Sequence, residues 1–228
     1  MKLKSKQLLP AITTTNGSDW RKQVKEIDQL GLKKIAIFTT CLNKKERQEF
    51  FNLLEKTKLK EIPFTHLRSD QEPEELDYLI KRWKTKVFNM HSPREFPFKR
   101  DYTKYYNMLY IENTYTPLDQ KELKDFAGIC LDVSHIENDR LIHKKRYEDN
   151  KKALSGFTVG CNHISAIKPT LQPGLDGKPI YSIHSFEELS EFDYLKNYPQ
   201  KYFSDYVAIE LENSLKDQLK VIKYITNL

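Results

Sequence analysis

Five of the six histidines in this 228-residue sequence, His66, His91, His135, His163 and His184, fall at or just beyond the ends of short apolar runs or in a long loop. The sixth, His143, lies in a helical, lysine-rich stretch. Carboxylates share the pattern: Glu112 closes one run, Asp132 lies near the end of the next, and Glu210 and Glu212 close the last. Neutral imidazole nitrogens and ionised carboxylate oxygens are donors that zinc, manganese and iron accept, and one carboxylate can bridge two ions. Crowding several acids together raises their pKa and costs stability unless positive charge compensates them, and a bound cation supplies that charge. In Asp132-x-x-His135, on a run that turns into a loop, one side chain can point inward while the other reaches the rim. The chemistry expected of this set is therefore divalent-metal binding.

Residues so distant along the chain meet only if the elements carrying them converge. Eight short apolar runs recur, at 8–13, 34–40, 61–67, 86–91, 107–112, 128–135, 157–164 and 206–212. Several are nearly continuous in apolar, β-branched and aromatic residues, as strands covered on both faces are. Stretches with helical spacing separate them, and that alternation predicts a parallel sheet with helical crossovers. With eight repeats the expected fold is a (β/α)8 TIM barrel, one domain over residues 1–228, whose strand carboxyl ends converge on a common axis.

Four helices read clearly. Val24, Ile27 and Leu30 form one stripe in 20–30, with Gly31 as the stop; Phe50, Phe51, Leu53 and Leu54 lie in 44–58 behind the N-cap Asn43. Leu76, Leu79, Ile80 and Trp83 mark 72–84, and Leu215, Leu219, Ile222 and Ile225 mark 214–226 behind Ser214 or Asn213. Two segments depart from the alternation. The proline-, arginine- and aromatic-rich 92–106 reads as a loop or broken helix, and 167–186, with Pro169, Pro173, Gly174, Asp176-Gly177 and Pro179, reads as a long loop. Both follow strands, so both are expected at the mouth.

Hydrophobic residues at 39% and charged residues at 31% argue for one core under a well-solvated surface and against disorder. No window approaches the ~20 apolar residues of a membrane span. The amino-terminal Met1-Lys2-Leu3-Lys4-Ser5-Lys6 leads into a short apolar run without a signal-type cleavage site, so a cytoplasmic address and no membrane are expected. Cys41, Cys130 and Cys161 form no Cys-x-x-Cys pair and are expected as reduced thiols packed near strand ends. The net charge of +6 would draw polyanions if it were concentrated on one face, but lysines such as Lys216, Lys220 and Lys223 are spread along the chain.

Particular motifs narrow the expectation. They are Thr65-His66, Asn89-Met90-His91-Ser92-Pro93, Tyr110-Ile111-Glu112-Asn113-Thr114, Cys130-Leu131-Asp132-Val133-Ser134-His135, Asn162-His163-Ile164-Ser165, Ser182-Ile183-His184 and Ala208-Ile209-Glu210-Leu211-Glu212-Asn213. In these, over nearly its whole length, the chain resembles the xylose isomerase-like barrels, which include sugar isomerases and epimerases and the endonuclease IV enzymes of abasic-site repair. The resemblance implies Glu112, Asp132, His163 and Glu210 around one metal. It implies His66 and His91 for a second ion bridged by Glu112, and His135 with His184 for a third. Zinc is the first expectation, with manganese or magnesium as alternatives. Where endonuclease IV has an Asp-x-His pair this chain has Ser182-Ile183-His184, and the flanks of Asp132 and His184 lack that family's glycine- and arginine-rich surroundings. Glu210 rather than Glu212 is chosen by the resemblance alone, since residues two apart on a strand share a face.

Three functions are compatible with these residues. The histidine count favours a phosphoester hydrolase resembling endonuclease IV, with DNA among its candidate substrates. Arg68, Arg94, Lys99, Arg100 and the tyrosines between Tyr102 and Tyr106 would then be candidate contacts to phosphates and bases. Compact loops favour instead an isomerase or epimerase of a small sugar or sugar phosphate, with one metal and Glu112 and Glu210 as a catalytic acid–base pair. Phe96 and Phe98 are candidate pocket walls for it, Trp83 being the better fit to the core. A non-catalytic barrel binding metal or a partner is kept open by Ser182.

Overall fold

The computed structural model describes residues 3–174 and 177–228; Met1, Lys2, Leu175 and Asp176 lie outside the described residues. Eight parallel strands close into a barrel: β1 (Leu8–Ile12), β2 (Lys34–Phe38), β3 (Glu61–His66), β4 (Val87–His91), β5 (Leu109–Glu112), β6 (Gly128–Asp132), β7 (Val159–Ile164) and β10 (Val207–Ile209). They follow one another in this order around the barrel, and β10 pairs with β1 to complete it. Each strand lies inside one of the expected runs.

Alternation along the strands explains the near-continuous apolar runs. Leu9, Ala11, Ala36, Phe38, Phe64, Val87, Cys130, Cys161 and Ala208 pack together in the barrel interior. Their neighbours, among them Ile12, Ile37, Ile62, Phe88, Ile111, Ile129, Leu131, Ile164 and Ile209, pack outward in two larger clusters with the helices. Two residues further along a strand the side chain returns to the same face. Phe64, Cys130, Cys161 and Ala208 are thus followed on the inner face by His66, Asp132, His163 and Glu210.

The four clearest helices form as their caps suggest. Helix α1 (Trp20–Gln29) starts where Asp19 accepts from the Lys22 N–H, α2 (Lys44–Glu55) has a reciprocal Asn43–Glu46 capping box, and α3 (Pro73–Trp83) has proline in its first turn. Between β6 and β7 lie α4 (Val133–Ile142) and α5 (Lys144–Gly156), and α6 (Leu215–Ile225) closes the described chain behind Ser214. The 92–106 segment is irregular, as expected, and runs into the 3-10 helix Thr103–Met108. No helix among the described residues is long and apolar enough to cross a membrane.

Two expectations are corrected. The 167–186 segment is not an unstructured loop: β8 (Ala166–Pro173) and β9 (Pro179–Ile183) form an antiparallel hairpin over the mouth side of β7. Its prolines sit at a register irregularity or at the hairpin's ends, where a missing N–H removes no ladder bond. The 128–135 run does not turn into a loop either. The strand stops at Asp132, whose carboxylate accepts from the Ser134 and His135 N–H groups and starts α4 at once. His135 is therefore on the first helical turn.

Gln218 of α6 fastens the seam between β1 and β10. Its Oε1 accepts from Ala11 N at 2.7 Å, and its Nε2 donates to the carbonyls of Ala11 (2.9 Å) and Leu211 (3.0 Å), all in buried surroundings. Gln218→Leu would strand these backbone groups, at roughly 1–3 kcal/mol for a buried unpaired group. The expected outcome is a lower urea midpoint with an unchanged slope, read by circular dichroism.

Candidate metal centre

His66, His91, Glu112, Asp132, His135, His163, His184 and Glu210 converge at the carboxyl-end mouth of the barrel. Glu112, at the tip of β5, stands at the middle, and its two oxygens face different neighbours. Oε2 lies 3.6 Å from His66 Nδ1 and 3.9 Å from His91 Nε2. Oε1 lies 3.4 Å from His163 Nδ1 and 4.0 Å from His135 Nδ1. Glu210, just past β10, places Oε2 3.4 Å from His163 Nδ1 and Oε1 3.8 Å from His184 Nε2. Asp132 Oδ2 is 3.7 Å from His135 Nδ1.

Two sets of donor atoms lie mutually within 4.8 Å: His66, Glu112 and His163, and Glu112, Asp132, His163 and Glu210. All of these residues are buried, whereas His91, His135 and His184 are partly exposed and stand toward solvent. No third set of three is assembled among the described residues. Ser182, at the position of the missing carboxylate, instead donates its hydroxyl to Ser134 Oγ at 2.9 Å. Glu212 turns away and accepts from Thr15 Oγ1 at 2.5 Å, so it is Glu210 that faces the axis. His143 is an exposed residue at the α4–α5 junction, outside both sets.

These donors fit a divalent cation. His66 Nδ1 and Nε2, His163 Nδ1, Asp132 Oδ2 and Glu210 Oε2 are buried without a hydrogen-bond partner. Orphaned polar atoms of this kind are expensive, and so many in one cavity call for a charge between them. Donors about 2.1 Å from a tetrahedral ion lie about 3.4 Å apart. That is the separation of His163 Nδ1 from both Glu112 Oε1 and Glu210 Oε2, each 3.4 Å.

The protonation pattern points the same way. Burial opposes the charge on Glu112, yet His163 and His66 hold its carboxyl well below the ordinary range. Burial opposes the charge on His163 too, but Glu112 and Glu210 beside it push the imidazole up to about 10. Burial drives His66 well below its usual value. Glu210 is raised by burial, with Glu112 and Asp132 adding to it against the pull of His184 and His163. Glu112 and Glu210 favour a proton on His163, and a cation bound there would compete with that proton.

Supporting residues emerge that the sequence did not single out. Asn89 donates to Glu112 Oε2 at 2.7 Å. Asn113 grips the Asp132 backbone from both sides, donating to its carbonyl (3.0 Å) and accepting from its N–H (2.8 Å). Beneath His163, Cys130 Sγ is 3.6 Å from Nε2, while the rings of Phe38 and Phe64 lie 4.7 and 5.3 Å away. Asn89, Phe64 and Cys130 each precede a candidate ligand by two residues, so strand parity was a usable signal. Asn113 follows β5 and carried none.

The surroundings of the other residues named from the sequence are as follows. Cys130 and Cys161 are buried within the barrel, and Cys41 is exposed. Arg68 pairs with Asp70, Arg94 with Asp119 and Glu122, and Arg100 with Glu72. The backbone N–H of Lys99 donates to the Ser69 carbonyl at 2.8 Å, and the residue is exposed. Tyr102 and Tyr105 are buried with their hydroxyls on the Gln71 and Pro73 carbonyls, so they fasten 92–106 to α3 rather than offering faces to bases. Phe98 packs against Tyr102 and Phe126, and Trp83 is fully buried, leaving Phe96 as the one of the three suggested walls that is exposed.

No protein-family model matches this chain, and no curated protein matches it. The fold is a TIM barrel with two clusters of buried side chains that could hold a divalent metal, consistent with a metal-dependent enzyme.

Zinc at a hundred times its dissociation constant should add about 2.7 kcal/mol to the unfolding free energy. The melting temperature is expected to rise accordingly by differential scanning fluorimetry, and the rise to vanish in Glu112→Ala while the far-ultraviolet spectrum stays that of a barrel.

Proposed function

We propose that this chain is a zinc-dependent phosphoester hydrolase of the xylose isomerase-like kind, similar to endonuclease IV, with abasic-site DNA as the first substrate to test. The observation that supports it most is the division of labour at Glu112. One oxygen faces His66 and His91 and the other faces His163, as a carboxylate bridging two ions requires. A one-metal isomerase has use for Glu112, Asp132, His163 and Glu210 but none for a second donor set containing His66.

Divalent ions held by these side chains supply Lewis acidity, which acidifies water and neutralises charge on a departing oxygen. The chain's own residues do the positioning. Glu112 is steered by the Asn89 amide, and Asp132 is fixed by the helix it caps, leaving Oδ2 turned inward. His91, His135 and His184 line the open side, where substrate oxygens arrive.

One observation favours the alternative, a sugar or sugar-phosphate isomerase. The set with four donors is the one such an enzyme needs, and it contains Glu112 and Glu210, each 3.4 Å from His163 Nδ1, as candidates for an acid–base pair. Metal analysis and two assays separate the readings. The expected result is two zinc ions per chain with cleavage of an abasic-site duplex. A single exchangeable manganese or magnesium, with solvent-proton exchange into a ketose and no strand cleavage, would replace the hydrolase by the isomerase.

A further inference from the structure

We propose that Phe96 and Tyr115 are ring-stacking walls of the metal centre, and that they select phosphoesters carrying a flat aromatic group, a nucleobase in the natural substrate, over aliphatic sugar phosphates. The inference rests on the phosphoester reading above and deepens it to a substrate class.

Among the described residues, Phe96 and Tyr115 are the two aromatic members of the four large exposed hydrophobic residues, at 49% and 52% exposure. Isolated exposed apolar side chains need no explanation, but these two share one place. The Phe96 ring lies 5.0 Å from the ring of His91, and the Tyr115 ring lies 6.1 Å from that of His135. Those histidines approach opposite oxygens of Glu112, so one ring stands on each side of the proposed ion pair.

The loops bearing the rings are clasped together. Glu95, next to Phe96, accepts from the Thr116 N–H at 2.7 Å and from the Thr114 hydroxyl, and so holds both neighbours of Tyr115. Arg94 adds a bond to the Pro117 carbonyl at 2.9 Å. Held apart from the core yet fixed in place, the rings are pre-organised to stack, which lowers the ordering cost of binding. Beyond Tyr115 a cleft of about 540 Å³ is lined by His143, Lys144, Lys145 and Arg146, with Asp149 as its one acid among the described residues. A ligand with a flat ring at the metal centre and further negative charge leading away from it matches both features, and a nucleotide is such a ligand.

The test is calorimetric titration of the zinc-loaded chain with phenyl phosphate and methyl phosphate, followed by thymidine 5′-monophosphate and ribose 5-phosphate. One stacked ring should strengthen binding at least about fivefold. Phenyl phosphate is therefore expected to bind that much more tightly than methyl phosphate, and the thymidine nucleotide more tightly than the sugar phosphate. Combining Phe96→Ala with Tyr115→Ala should bring both ratios close to one while zinc and methyl phosphate affinities stay unchanged, and Tyr115→Phe should keep them. A wild-type ratio near one, with methyl phosphate bound, overturns the stacking role and leaves the hydrolase reading standing. An unchanged ratio in the double variant, with or without weaker zinc binding, assigns the rings to packing on the histidines instead. Failure of every phosphate to bind the zinc-loaded chain overturns the hydrolase reading and this inference with it.

Discussion

A carboxylate at the centre of a closed barrel, Glu112, sets the constraint that the rest of the structure answers. It is 2% exposed, and an isolated charge at that depth is prohibitively costly unless opposite charge or hydrogen bonds meet it. Here both kinds are present: the Asn89 amide on one oxygen and imidazoles around both. The fold thus accepts an expensive interior in exchange for a cluster of lone pairs aimed at one point. Residues that orient ligands matter as much as the ligands, because each donor must be fixed to within a fraction of an ångström.

Asp132 shows how local and tertiary demands are met by one side chain. Its Oδ1 accepts from Ser134 N, Ser134 Oγ and His135 N, ending a strand and starting a helix. Its Oδ2 is left buried and unpaired, facing the centre. Helix capping therefore serves as the orienting device: the carboxylate plane is fixed by backbone N–H groups, and the second oxygen has one direction left. The same cap brings His135 round onto the first turn of α4, within reach of both Asp132 and Glu112.

The rim follows a different logic from the interior. Below it, strand parity alternates apolar layers inward and outward; above it, the connecting segments are secured by side chains. Glu95 and Arg94 tie the segment after β4 to that after β5, Tyr102 and Tyr105 tie 92–106 to α3, and Arg146 holds Asp139 together with the Tyr115 carbonyl. Tyr102 and Tyr105 are taken up by this bracing, whereas Arg94 and Arg100 pair with acids and remain exposed. Exposed on this rim stand the rings of Phe96 and Tyr115, and Arg94, Lys99 and Arg100 are exposed on the segment after β4.

The order and kind of the strands were legible in the sequence, because a strand buried on both faces must be nearly continuous in apolar residues and a parallel pair must be separated by a crossover. So was the convergence of His66, His91, Glu112, Asp132 and His163, since closing a parallel barrel brings strand ends together whatever the loops do. Three things were decided only by the tertiary structure. Glu210 and Glu212 share a strand parity, and they part only because the chain turns after Ile209 and Thr15 captures Glu212. The prolines of 167–186 signal irregular chain locally, but pairing between β8 and β9 gives the backbone partners that a loop would lack. Tyr102 and Tyr105 look like surface aromatics in a polar segment, and are buried because their hydroxyls reach carbonyls about thirty residues away. In each case the deciding contact joins residues remote in sequence, and local propensity carries no information about which partner arrives.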